Sequence, residues 1–150
     1  MEIVLYKPEI AGNVGAIIRL AANSAIPLHI VGELNFSFED KKVKRAGLDY
    51  HDLANVSYHN EWNEFSNNYL YDNVFVTSSM SNNIYWEKDL TKAKFIIFGS
   101  ESIGLPKNIL TEYKDNNIKI PMDSNSRSIN LANAVSIITY EYLRQISKQS

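Results

Sequence analysis

Residues 95–106 read Phe95-Ile96-Ile97-Phe98-Gly99-Ser100-Glu101-Ser102-Ile103-Gly104-Leu105-Pro106. Four consecutive bulky apolar residues are what a strand covered on both faces requires, and short runs of this kind mark parallel sheets. The Gly- and Ser-rich stretch behind them breaks the strand. Pro106 then suits the first turn of a helix, where its missing N–H is not needed. Strand, loop and helix in that order predict an α/β domain with a largely parallel sheet flanked by helices.

The same alternation extends in both directions. Ile3 to Tyr6, Leu28 to Val31, Asn73 to Thr77 and Ile118 to Ile120 read as further strands. Val14 to Ala22 reads as a helix with Val14, Ile17, Ile18 and Ala21 on one face, and Glu39 to Arg45 and Trp62 to Tyr69 as shorter ones. Pro106 to Glu112 follows the quoted loop. Asn130 to Gln145 is the clearest helix, since Leu131, Val135, Ile138 and Tyr142 share a face and Asn130 is a good N-cap.

The chain has 150 residues, 45% of them hydrophobic, which predicts one domain over 1–150 with a sizeable core. Fifteen basic against 17 acidic residues give a net charge of −2, which excludes a polybasic nucleic-acid coat but not a local basic patch. There is no cysteine, so disulfides, Cys-ligated zinc, iron–sulfur clusters and thiol nucleophiles are excluded. No apolar run approaches the ~20 residues of a membrane helix. The first residues lack the basic start and small-residue cleavage site of a signal peptide, so a cytoplasmic protein is expected.

Three loops that follow strands are where ligands of such domains sit: residues 8–15, 99–106 and 121–133. Gly99 and Gly104 have the spacing of a phosphate-binding loop, but Leu105 and Pro106 stand where its Lys and Ser or Thr belong, which rejects an NTPase. Gly12 and Gly15 suit a turn leading into a helix. His29, His51 and His59 have no metal-ligand spacing; His29, inside an apolar strand, reads as structural and His51 as a loop-ordering residue. Arg19 sits in an apolar helix, where it is either an exposed polar-face residue or a functional cation. Arg127 and Ser128 precede a helix start that suits either simple capping or a polar ligand. Lys41-Lys42-Val43-Lys44-Arg45 is either a solvated face or a grip on a phosphate backbone.

Taken together, Asn13-x-Gly15-x-x-x-Arg19, then Phe98-Gly99-Ser100-Glu101-x-x-Gly104-Leu105-Pro106, then Ile120-Pro121-Met122 with Arg127 to Val135, resemble the three motifs of the SPOUT superfamily of RNA methyltransferases in order and spacing. Arg45 to His51 resembles a further signature of its small tRNA (cytidine/uridine) 2′-O-methyltransferases, which act at the wobble nucleotide. The resemblance covers nearly the whole chain. It implies a deep C-terminal trefoil knot, S-adenosyl-L-methionine as methyl donor, a homodimer, and the tRNA anticodon stem–loop as partner, with no metal and no membrane. It implies a donor cradle of Thr77, Gly99, Ile120, Ser128 and Leu131, with Gly99 where backbone meets ligand. It implies a catalytic set of Arg19, Asn13, Glu101 and Asn130. Val14, Ala16 and Ser102 depart from residues frequent in the family. The donor carries an already activated methyl group, whereas a ribose 2′-hydroxyl needs a proton acceptor or a stabiliser of its alkoxide. Deprotonating an arginine at neutral pH in water costs about 8 kcal/mol, so Arg19 as base and Arg19 as charged stabiliser both stand. Two alternatives stay open beside this reading: the same reaction on another RNA such as rRNA, and a knotted RNA-binding module without catalysis.

Overall fold

The apolar run at 95–98 lies in the middle of a sheet. A computed structural model describes residues 1–37, 55–123 and 125–148. The elements are β1 (Glu2–Tyr6), α1 (Ala11–Ser24), β2 (Leu28–Val31), β3 (Val56–His59), α2 (Trp62–Tyr69), β4 (Val74–Thr77), β5 (Asn83–Ile84), β6 (Phe95–Phe98), α3 (Lys107–Glu112), β7 (Asn117–Lys119) and α4 (Leu131–Ser147). Seven strands form one sheet in the order β3-β2-β1-β6-β4-β7-β5, and each neighbouring pair runs parallel. The α/β expectation is borne out.

Both faces of the central strands are buried, as the unbroken apolar runs require. Ile3, Leu5, Leu28, Ile30, Ile96 and Phe98 face α1 and α4, packing on Val14, Ile17, Ile18, Val135 and Ile138. Val4, Val31, Val76, Phe95 and Ile97 face the other way, onto Phe65 of α2 and Ile109 of α3. The apolar faces of α1 and α4 are thus spent within one chain, and Ala16, Arg19 and Tyr140 are among what those helices leave exposed.

Several boundaries differ from the sequence reading. α1 starts at Ala11, so Gly12, Asn13 and Gly15 lie inside the helix rather than in a turn ahead of it. Pro106 is the N-cap of α3, with extended backbone, and α3 begins at Lys107. β7 covers Asn117–Lys119, which leaves Ile120 just beyond the strand. β3 and β5 have no counterpart in the sequence reading. The helix expected over Glu39 to Arg45, the signature at Arg45 to His51 and the basic run at Lys41 to Arg45 lie outside the described residues.

His29 is structural, as its setting in an apolar strand suggests. It is 6% exposed, its Nδ1 lies 2.9 Å from Nε2 of His59, and its Nε2 lies 2.5 Å from Oε2 of Glu2. The row Glu2–His29–His59 ties β1, β2 and β3 together from one face of the sheet. Among the described residues, no helix is long and apolar enough to cross a membrane and no cluster of His, Asp and Glu has the makings of a metal site.

Candidate active site at the carboxyl ends of the strands

The strand order reverses direction between β1 and β6, and ligands of parallel sheets bind at the carboxyl ends beside such a switch point. There the loops after β4, β6 and β7 and the start of α1 surround a cavity of about 460 Å³, within the range of small-molecule sites. Its apolar wall includes Phe98, Leu105, Ile118 and Ile138.

The loop after β6 folds back on itself. Gly104 has φ +74°, and its N–H donates to the Ser100 carbonyl at 3.0 Å. A Cβ on Gly99 would lie 2.2 Å from the carbonyl carbon of Gly104 and 2.4 Å from the Leu105 nitrogen. Glycine is therefore required by the loop's own closure. This is a reason for glycine beside the expected one, since Gly99 also lines the cavity.

Glu101 projects from that loop to the start of α1, which has no side-chain cap of its own. Its Oε2 accepts from the Glu9 N–H at 2.7 Å, and its Oε1 accepts from the Ile10 N–H at 3.1 Å and from Asn13 Nδ2 at 2.9 Å. The carboxylate thus answers N–H groups at a helix start, where negative charge is favoured. Asn13, 8% exposed, passes the chain on: its Oδ1 accepts from Asn130 Nδ2 at 2.8 Å. Asn130 caps α4, accepting from the Asn133 N–H at 3.2 Å. One polar line, Glu101–Asn13–Asn130, therefore joins three segments far apart in sequence.

Asn13, Glu101 and Asn130 line the cavity, and so do Thr77, Gly99, Ile120, Ser128 and Leu131. Arg19 does not line it. Six residues along a helix amount to about 9 Å of rise and about 240° of rotation, so Arg19 sits on a different side of α1 from Asn13. It is exposed there. Arg127 is exposed and outside the cavity wall. The sequence reading missed Glu9, whose carboxylate accepts from the Ser102 hydroxyl at 2.5 Å and the Ser102 N–H at 3.2 Å. The available signal was an acidic residue just ahead of an uncapped helix start.

The cavity suits a molecule such as S-adenosyl-L-methionine. It joins an apolar wall to backbone at three strand ends, and the hydroxyls of Ser79, Ser100 and Ser128 on its wall have no hydrogen-bond partner among the described residues.

Over residues 1–140 the chain matches the SpoU rRNA Methylase family. The chain belongs to the SpoU methylase family. It is 40% identical over 147 residues to the tRNA (cytidine(34)-2′-O)-methyltransferase of Saccharophagus degradans, covering 97% of this chain and 95% of that protein. A structure solved for insight into the 2-OH methylation of C/U34 on tRNA superposes with a TM-score of 0.86 at 36% identity, over 97% of this chain and 90% of the other. The AdoMet-bound rRNA methyltransferase of Sinorhizobium meliloti superposes with a TM-score of 0.82 at 25% identity, over 97% of this chain and 56% of that one.

Proposed function

We propose that this SpoU-family chain transfers a methyl group from S-adenosyl-L-methionine to the ribose 2′-hydroxyl of the wobble nucleotide, cytidine or uridine, of tRNA. The carrying observation is the convergence of Asn13, Glu101 and Asn130 with the five expected donor-binding residues on one cavity. Full-length similarity to a wobble-cytidine methyltransferase supports the choice of substrate.

The donor, when bound, supplies a methyl group already activated on a sulfonium. Thr77, Gly99, Ile120, Ser128 and Leu131 would hold it. The Glu101–Asn13–Asn130 line fixes the starts of α1 and α4 against the cavity. Arg19 would stabilise charge at the reacting 2′-oxygen or take its proton.

The protein would work as a homodimer. With the apolar sides of α1 and α4 in the core, the exposed side of α1, bearing Ala16 and Arg19, is the surface left for a second copy. In this reading a dimer packed there brings Arg19 to the partner's cavity, since Arg19 does not line its own. The C-terminal knot belongs to the same reading. It is supported by β7 sitting between β4 and β5, which are consecutive in sequence, with the Asn117 carbonyl accepting from Ser81 Oγ and Asn83 Nδ2. The cytoplasm is the compartment that this reading implies.

The test pairs calorimetry of S-adenosyl-L-methionine binding with mass spectrometry of unmodified tRNAs carrying C34, U34 or A34 after incubation. Ribose methylation at C34 or U34 is expected. Methylation confined to rRNA fragments, or donor binding with no transfer to any RNA, overturns the substrate assignment.

A further inference from the structure

The loop before α1 and the loop after β6 are joined twice, in opposite directions. Glu101 reaches across to accept from the Glu9 and Ile10 N–H groups. Glu9 reaches back to accept from the Ser102 hydroxyl and N–H. Each loop therefore lends a carboxylate to the backbone of the other. Hydrogen bonds to an ionised acceptor are the strong ones, and two that cross between the same loops restrain both translation and rotation.

The two arms do different things. Glu101 and Ser102 line the cavity and Glu9 does not. Ser102 stands one residue from Glu101 and directly before Ile103 and Gly104, the tip of the loop that Gly99 and Gly104 bend back on itself. Ile103 is 83% exposed, so packing does not hold that tip. What fixes it is the bridge at 100–104 on one side and Glu9 on the other.

We propose that Glu9 is a positioning residue for the methyl-donor site: through Ser102 it holds the 99–105 loop in the shape that receives the donor. This rests on the reading of the cavity as the donor site. Removing Glu9 releases the loop tip, and binding must then restrain it again, which weakens affinity. The loss sits in donor binding and not in turnover, because Glu9 touches neither ligand nor reacting atoms.

The test is a double-mutant cycle read by equilibrium calorimetry with S-adenosyl-L-methionine, alongside thermal melts and steady-state kinetics. Ser102→Ala, which removes the hydroxyl bond, is expected to raise the dissociation constant about tenfold, the size of one charge-assisted hydrogen bond, and Glu9→Ala, which removes both bonds, at least as much. The double variant is expected to stay within about twofold of Glu9→Ala, because the bond that Ser102→Ala removes is one of the two that Glu9→Ala already removes. Glu9→Gln, which keeps an acceptor oxygen toward Ser102, should lose less affinity than Glu9→Ala. In Glu9→Ala the KM for the donor should follow the dissociation constant, while turnover at saturating donor stays within about twofold. Unchanged affinity in Glu9→Ala, or additive losses in the double variant, overturns the inference while leaving the donor site intact. If the unaltered protein itself fails to bind the donor, the reading of the cavity falls, and this inference with it.

Discussion

Arg19→Ala should reduce turnover by about a hundred- to a thousand-fold, the usual effect of removing one oriented charge from a developing oxyanion. The donor dissociation constant should stay within about twofold, because Arg19 would act at the reacting 2′-oxygen and not on the donor. Calorimetry and single-turnover rates on the same preparation separate the two quantities. A parallel loss of donor affinity would place the arginine in the donor site instead. The residue types of the site were legible in the sequence, since Asn13, Glu101 and Asn130 all reach the cavity. Their wiring was not. The Glu101 carboxylate finds its donors 88 to 92 positions away, and a bond of that reach depends on how two loops close. Gly99 was noticed for a ligand and is needed for a neighbouring peptide.

Among the elements, the edge strand β3 is held partly by its last residue. The pKa of His59 is lowered from the ordinary 6.5, first by burial and then by the neighbouring His29, with Glu64 opposing. The folded protein therefore favours the neutral ring more than the unfolded chain does. The unfolded state takes up the extra proton first, so stability is lost as pH falls below 6.5 and the loss is complete once the folded pKa is passed. Melting curves between about pH 7.5 and about pH 5.5, roughly one unit either side of the ordinary histidine value, should show a fall in midpoint that His59→Gln diminishes. An equal fall in both proteins would assign the effect to other groups. The same strand shows why some elements were not legible. Val56-Ser57-Tyr58-His59 has no apolar run, because an edge strand need not be covered on both faces, and its alternation spans only four residues. β5 is two residues long and exists by pairing with β7. The first turn of α1 contains Gly12 and Asn13, poor helix formers that are overruled once a carboxylate from the β6 loop answers the N–H groups ahead of it. α4, by contrast, was visible at once, because its cap and its 3.6-residue apolar stripe are both local signals.

For the whole molecule, the expected state at micromolar concentration is a homodimer by light scattering. If Arg19 serves the partner's cavity, two inactive proteins should rescue each other. Mixing Arg19→Ala with Glu101→Ala under conditions that exchange subunits should restore about a quarter of normal activity, since half of the dimers are mixed and each mixed dimer has one intact site of two. No recovery would mean that each subunit uses its own arginine. The position of β7 bears on how such a molecule is made. A chain leaving the ribosome presents β4, β5 and β6 before Asn117–Lys119 exists, yet β7 must end up between the first two of them. Until then β4 is an open edge of the growing sheet with unpaired backbone, the kind of edge that recruits strands from other chains. The donor site cannot be assembled early either, because part of its wall comes from the last fifth of the chain, at Ser128 to Ile138. Synthesis order therefore makes the reaction centre one of the last things this protein acquires.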